Sequence, residues 1–553
     1  MMNQKKKVAS IMLSLSCIAL VLSGCGSSAN NGGSNNASTN SSTNSNTNSS
    51  TNSSTSTNNT SSNSSNTAPA ADAATDPSTL PPVELTYYFP NTPQKDLQAV
   101  EDELNRLVKP KINATIHLKL IDWNAYDEKM NVIMSSGEPY DLAFTSTWSN
   151  NYFQDVAKNA FVPLDDLVTQ YAPDLKTIVP DPFWKSVTVK GHVYGIPNFQ
   201  QATAGYGYEI RKSIADKYNI DWKSVKSLAD LTPILETVKK NEPDLVPWRW
   251  QDAFLNGPAM FGMEALGDSK TPGAIYLNDT SMKVVDQFET PEFKDYVNLM
   301  HDWYTKGYIM KDAVTRDPNA DLKAGKVALQ MGQIDLDSND FFKVQGEYPA
   351  GRMAGQNPAA ESYDYRFVAP LLTTDKAAAT MTAISATSPN KERAMMFINL
   401  LNTDKEIYNV LDWGVEGKHY KKIGDNQIEL AKDSGYLLWS GWEFGYMGNS
   451  YYLSTDKPAM VQNDTGNKMW EDLNKNATQS NALGFVFDFT PVKSEKANCD
   501  AVIAELEAAL ASGSVDPAKY LPKFIEKLKA AGSDKILAEK QKQLDAWKAE
   551  NGK

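Results

Sequence analysis

Val83-Glu84-Leu85-Thr86-Tyr87-Tyr88-Phe89, then Leu97, Val100, Leu104 and Leu107, then Ile112, Ala114, Ile116, Leu118 and Leu120, make up the stretch that decides the fold. In the first run Val83, Leu85, Tyr87 and Phe89 alternate with Glu84, Thr86 and Tyr88, the two-residue period of a strand. The middle set recurs at intervals of three and four, which places it on one face of a helix. The third set alternates again. Strand, helix and strand within about 40 residues form a parallel βαβ unit, so a layered α/β fold is predicted. Moving outward, a short helix is predicted around Asn124 to Ser135, then a turn at Ser136-Gly137-Glu138-Pro139 and an apolar strand ending near Phe144. The loop Thr145-Ser146-Thr147-Trp148-Ser149-Asn150 then falls beyond the carboxyl end of a strand, where open α/β sheets collect ligands. Trp148, Asn150 and the nearby Tyr152 are contact candidates. His117 lies on the strand face opposite Ile116 and Leu118 and is read as a packed or surface side chain.

The 553 residues suffice for one large bilobal body or three to four domains of about 100–200 residues. With 41% hydrophobic and 22% charged residues, a folded soluble protein is expected and a polytopic membrane protein is excluded. Lys and Arg number 54 against 67 Asp and Glu, a formal charge of -13. The folded part has no long basic run, so nucleic acid is not an expected partner. The 12 Trp, 24 Tyr and 19 Phe exceed what a core requires if several Trp fall in loops.

Residues 1–24 carry Lys5, Lys6 and Lys7, an apolar run from Val8 to Leu22, and small Ser23 and Gly24, the order of regions in an export signal. The run is shorter than the about 20 residues of a membrane span. Leu22-Ser23-Gly24-Cys25 resembles the lipobox of bacterial lipoproteins, which implies that Cys25 is lipidated and becomes the mature first residue. Two acyl chains suffice for stable anchoring. Residues 25–82 are the expected tether. Ser27 to Thr67 is almost purely Ser, Asn, Thr, Gly and Ala, without charge, and cannot bury enough surface to fold. As a coil of about 40 residues it spans roughly 30–40 Å. A tether of this length suits the outer face of a Gram-positive cytoplasmic membrane. Of the 3 cysteines, Cys17 leaves with the signal and Cys25 is lipidated, so Cys499 remains alone, without a disulfide, as a buried or half-buried residue of a C-terminal helix.

Four strings further along carry a resemblance. Gly191-His192-Val193-Tyr194-Gly195-Ile196-Pro197 is similar to the G-x-x-Y-G-[IV]-P segment of family 1 extracellular solute-binding proteins, the sugar-binding receptors of ABC importers. Ser136 to Leu142, Gly325-Lys326-Val327-Ala328-Leu329-Gln330-Met331-Gly332, and Ala386 to Ala394 resemble three further landmarks of that family, in the same order. Trp413-Gly414-Val415-Glu416-Gly417-Lys418-His419-Tyr420 resembles a segment of its lipoprotein-type branch. Phe489 to Lys553 resembles that branch's extra C-terminal domain of unknown function. The resemblance implies a two-lobed, periplasmic-binding-protein-like (type II) α/β fold with a C-terminal helical extension. It implies a first lobe at 83–204 and 369–420, a second at 205–368 and 421–488, and helices at 489–553 packed on the second lobe. In that segment Asp516-Pro517 is predicted to open a helix, Gly532 to cap it, and Ser533 and Asp534 to cap the next.

No GxSxG, HExxH or GxxxxGK[ST] string occurs, and no cofactor or metal is expected. The 4 histidines are far apart in sequence, and Asp165-Asp166 fits a helix start. What the chain does supply is aromatic planes among polar groups, the mixture that stacks on sugar faces and bonds hydroxyls. Trp439, Trp442 and Tyr446 stand among glycines in a predicted loop, Tyr206 and Tyr208 follow the expected first crossover, and Trp248, Trp250 and Trp413 complete the candidates. The expected role is a non-catalytic monomeric receptor that holds an oligosaccharide or glycoside between its lobes and hands it to the transmembrane subunits of an ABC permease. The alternative is a secreted glycan-cleaving enzyme with an unrecognised carboxylate pair.

Overall fold

The computed structural model describes residues 79–553 apart from 318, 346–352, 354–356, 358, 359, 439 and 454–463. Cys25, the export signal and the tether as far as residue 78 lie outside the described residues.

The opening periodicities become structure. Strand Val83–Pro90 pairs in parallel with Ala114–Ile121 across helix Leu97–Ile112, whose buried face is Val100, Leu104, Val108 and Ile112. The first sheet has 5 strands in the order Ala114–Ile121, Val83–Pro90, Leu142–Thr145, Met381–Ile384, Gly195–Pro197. Met381–Ile384 runs antiparallel to both its neighbours, so the chain returns to this sheet after a long excursion. Helix Lys391–Thr403 then buries Ala394, Phe397, Ile398 and Leu401 against it.

The excursion builds a second 5-stranded sheet, ordered Thr478–Gln479, Ser362–Leu372, Ala204–Arg211, Val327–Gln333, Val246–Arg249. Each sheet organises its own core: Leu85, Phe89, Leu142 and Phe397 belong to one, Tyr208, Trp248, Leu329 and Trp303 to the other. The α/β two-lobed architecture expected from the sequence is the observed one.

Two borders differ from expectation. Ser362–Leu372 stays in the second sheet to its end, so the chain crosses back after Leu372 and not at 369. The segment 421–488, expected on the second lobe, places Tyr436, Leu438, Phe444 and Trp470 in the first core. The cause is topological: helices Lys391–Thr403 and Lys405–Trp413 hold the chain on the first sheet, and no strand rejoins the second until Thr478–Gln479.

The C-terminal helices Lys493–Ala511, Pro517–Ala531 and Ser533–Glu550 pack on the second core through Cys499, Ile503, Leu510, Phe524 and Ile536. Phe524 meets Phe288 edge-on at 5.3 Å. Gly513, at φ +74°, lets the chain pass the helix Pro291–Thr305 so closely that a Cβ would lie 2.2 Å from the Met300 carbonyl oxygen. Asp516 accepts the Ala518 N–H at 3.0 Å, and Gly532 ends that helix in the left-handed region. Ser533 and Asp534 differ from expectation. The next helix begins at Ser533 itself, with Gly532 as its cap residue and no side-chain cap bond. Cys499 is buried, and burial pushes its thiol up to about 11, which suits packing and not nucleophilic chemistry.

Candidate functional site

Strand Leu142–Thr145 is wholly buried, and the loop after it is fixed bond by bond. Asp127 Oδ1 accepts from Ser149 Oγ at 2.6 Å and the Asn150 N–H at 2.8 Å. Asn150 adopts φ 45°, and its Nδ2 donates to the Phe144 carbonyl at 2.8 Å. This scaffold projects Trp148, which is 53% exposed. Its indole N–H donates to the Ala379 carbonyl at 2.8 Å.

Trp148 is not alone. Trp123, in a turn just past strand Ala114–Ile121, stacks on it at 5.7 Å and 23°. Trp442, in the turn Gly441–Glu443, stacks on Trp123 at 5.9 Å and 25° and lies 6.2 Å from Trp148. Phe144 meets Trp123, Trp148 and Trp442 at 6.3, 5.9 and 6.1 Å and backs the cluster. Three indoles thus gather beyond the carboxyl ends of the first sheet's strands. Sequence reasoning singled out Trp148 and Trp442 but missed Trp123. The same strand-end rule applied to Asp122-Trp123-Asn124 carries the signal.

A polar cluster occupies the crossovers. Asp335 Oδ1 accepts the Gly205 N–H at 2.8 Å, and Oδ2 accepts from Gln201 at 2.5 Å and Gln333 at 3.2 Å. Lys376 donates to Gln333 at 2.9 Å, joining the segment before strand Met381–Ile384 to the end of the second sheet's strand Val327–Gln333. Asn474 grips the first crossover, accepting the Ala202 N–H at 3.0 Å and donating to the Gln200 carbonyl at 2.7 Å.

The other candidates are placed elsewhere. Asn150 is the loop brace just described. Tyr152 is buried, donates to the Val187 carbonyl at 2.6 Å and accepts the Tyr194 N–H at 3.0 Å, so it serves the core. Tyr208 is buried too and donates to the Trp222 carbonyl at 2.7 Å. The Gly-Tyr-Gly-Tyr run lies in the central strand Ala204–Arg211, where a Cβ on Gly207 would fall 1.9 Å from the Tyr365 carbonyl oxygen. Its glycines let strand Ser362–Leu372 approach, and its tyrosines fill space. Tyr206, 6% exposed, feels the charges of Asp335 and Asp375, which places it toward the crossovers.

Trp248 sits in the second core, edge-on to Trp303 at 5.3 Å. Trp413 is buried in a satellite cluster with Tyr420 and Tyr451, its indole donating to Ser450 at 3.2 Å. Tyr446 is half-buried, stacks on Phe199 at 5.9 Å and donates to Glu471. Trp439 lies outside the described residues. Trp250 donates to the Ala511 carbonyl at 2.8 Å and ties the C-terminal helices to the second lobe. Trp250→Phe is therefore expected to destabilise the chain by about 1 kcal/mol in thermal unfolding without changing glycan affinity.

Glu443, next to Trp442, has no exposed surface, and neither of its carboxyl oxygens meets a hydrogen-bond partner among the described residues. Burial pushes it up to about 9, with the nearby Ser440 side chain opposing the rise and the charge of Asp412 adding to it. Asp165 and Asp166 open a surface helix, Asp165 facing His192 at 3.1 Å. Among the described residues no cluster of His, Cys, Asp and Glu could hold a metal ion, and no helix is long and apolar enough to cross a membrane.

Two lobes joined by several crossovers, with aromatic planes at the strand ends, define a solute receptor. The chain belongs to the bacterial extracellular solute-binding protein family, whose model matches residues 91–407 and so spans all four sequence landmarks. Residues 481–549 match a domain of unknown function, the C-terminal extension. A carbohydrate ABC transporter substrate-binding protein of Streptococcus pneumoniae serotype 4 is 30% identical over 454 residues, 80% of this chain and 86% of that protein. The crystal structure of the N-glycan transport solute-binding protein NgtS of Streptococcus pneumoniae superposes with a TM-score of 0.72 at 27% identity, covering 84% of this chain and 99% of that one. Against NgtS in complex with Man1GlcNAc, at 27% identity and the same coverage, the TM-score is 0.64.

Proposed function

We propose that this chain is the substrate-binding component of a carbohydrate ABC importer. It captures a neutral oligosaccharide between its lobes and delivers it unchanged to the transmembrane subunits of a permease. The observation that carries this reading is the cluster of Trp123, Trp148 and Trp442 beyond the strand ends, an apolar surface of flat rings matched to the C–H faces of sugars. The carbohydrate transporter relative and the Man1GlcNAc complex of NgtS support it.

The fit is lower to the Man1GlcNAc complex of NgtS than to the other NgtS crystal structure, a difference that a hinge between the lobes would account for. Ligand touching both lobes favours the closed arrangement by its differential affinity for it. The Lys376 to Gln333 bond would tighten or break as the crossovers bend. Cys25 would anchor the receptor to the outer face of the cytoplasmic membrane, where it acts as a monomer. Glu443, the acid next to Trp442, is sealed from solvent, which favours holding over cleavage by that residue.

Calorimetry and small-angle scattering against a panel of neutral glycans test the proposal. One-to-one binding, a smaller radius of gyration on saturation and recovery of intact glycan are expected. Release of reducing ends, or no compaction with any bound glycan, would overturn it.

A further inference from the structure

Helix Ser533–Glu550 is pinned along its length to the second lobe. Ile536 enters that lobe's core, Lys540 donates to the Gly273 carbonyl at 2.8 Å, Gln541 accepts the Val284 N–H at 2.7 Å, and Lys548 donates to the Ser281 carbonyl at 2.8 Å. Its far end reaches a different part of the chain. Trp547 meets Phe485 edge-on at 6.0 Å. Lys553, whose ammonium stands 4.7 Å from the centre of the Trp547 ring, donates to the Asn481 carbonyl. Burial, and then the charge of Lys185, hold the Lys553 ammonium below its ordinary value, which places the end of the chain beside the first lobe.

Segment 480–485 follows the strand Thr478–Gln479 and is built into both lobes. Ala482 and Phe485 are buried in a satellite core with Ile275 and Val284 of the second lobe and Leu544 of the pinned helix. Leu483, between them, is 2% exposed and belongs to the core of the first lobe. The same segment is bonded to the crossover that follows Leu372. Ser480 N–H donates to the Leu372 carbonyl at 2.9 Å, and Thr374 Oγ1 donates to the Ala482 carbonyl at 3.3 Å while accepting the Gly484 N–H at 2.8 Å. Gly484 adopts φ +95°, and a Cβ on it would lie 3.3 Å from the carbonyl oxygen of Lys185, in the first-lobe helix Asp181–Val187. This glycine turns the chain from one core to the other within two residues.

A crossover that simply passes between lobes can bend. This segment has already joined the second sheet when Leu483 returns to plug the first core, and Trp547 and Lys553 hold it from behind. A change of angle between the lobes therefore draws Leu483 from its site or Phe485 from Trp547, and close-packed contacts resist both. Rotation at Gly484 is opposed by its bond to Thr374 and by the Lys185 carbonyl behind it. On the hinged-receptor reading above, we propose that the C-terminal helical domain is a hinge restraint: through Trp547 and Lys553 it braces segment 480–485, with Leu483 as the plug, and narrows the range of angles between the lobes.

The test uses the full chain with Cys17→Ser and Cys25→Ser, spin-labelled at two exposed positions, Lys129→Cys on the first lobe and Lys240→Cys on the second, while buried Cys499 stays unlabelled. Double electron–electron resonance reads the interlobe distances. Without glycan, Trp547→Ala and a chain ending at Ala546 should each broaden the distance distribution about twofold, because more lobe angles become populated. Phe524→Leu, which disturbs packing on Phe288 in the neighbouring C-terminal helix, should lower the melting temperature and leave the width unchanged. Unchanged widths in both Trp547→Ala and the shortened chain, or equal broadening by Phe524→Leu, would overturn the restraint. A shift of the mean distance on adding a glycan of the neutral panel, with widths unchanged by the variants, would uphold the hinge and remove the restraint. One mean and one width in every sample, with and without glycan, would remove both.

Discussion

Trp442→Ala is expected to weaken binding of a neutral oligosaccharide by about 1–3 kcal/mol, about fivefold to more than a hundredfold, taking aromatic stacking on nucleobases as the nearest measured analogue. Trp148→Ala has an effect of the same order, because it removes the most exposed ring of the cluster. The double variant falls short of the sum: the rings lie 6.2 Å apart and share Trp123 and Phe144 as neighbours, so each single change already disturbs the other's support. Calorimetry reads the affinities, and thermal unfolding separates binding from stability. Trp148, 53% exposed, should alter the melting temperature little, while half-buried Trp442 should alter it more. A drop in melting temperature with unchanged affinity for both variants would mark the cluster as packing alone. Trp123→Ala is the complementary case, since it removes the ring on which both the others stack.

Local periodicity carried the lobes, because strand and helix faces are written in neighbouring residues: Leu85, Tyr87 and Phe89 are as buried as their alternation implies. The candidate site was legible only where strand-end topology could be inferred. Trp148 followed from its place after an apolar strand, and Trp123 obeys the same logic one strand earlier. Tyr152, Tyr208, Trp248 and Trp413 look no different in sequence from Trp442, because a ring's exposure depends on what distant segments lay over it. Trp413 is covered by Tyr451 and Leu453, residues whose arrival no local pattern announces. The lobe borders failed for a related reason. Phe444 and Trp470 join the first core through contacts with Phe89 and Phe199, which lie hundreds of positions away. The protonation state of Glu443 was equally invisible, since it is set by burial and not by sequence neighbours.

That burial leads to the second large effect, a stability that declines as pH rises, traceable to Glu443. In the folded chain its carboxyl is raised from 4.5 to about 9, whereas the unfolded chain leaves it at the ordinary value. Between those limits the folded state holds a proton that the unfolded state has released, so each step up in pH favours unfolding. The contribution is fully present below about pH 4.5 and is lost progressively as pH climbs toward 9, on the order of 3 kcal/mol by pH 7. Asp412, raised to about 6 by burial while accepting from Ser450 at 2.5 Å, adds the same trend over the window from its ordinary 3.8 to 6. Glu443→Gln keeps the shape and stays neutral at every pH. It should therefore flatten the decline and raise the melting temperature at pH 8 while changing it little at pH 5. Glu443→Ala, by contrast, leaves a hole beneath the Trp442 turn and should destabilise at both. Parallel melting curves for the unaltered chain and Glu443→Gln from pH 5 to 8 would sink this account. Because Glu443 follows Trp442 in the same turn and its backbone carbonyl accepts from Asn198 at 2.7 Å, at the start of the first crossover, ionising it is expected to strain the Trp442 turn and that crossover together. Glycan affinity in the unaltered chain should then fall from pH 6 to 8, and Glu443→Gln should hold it level.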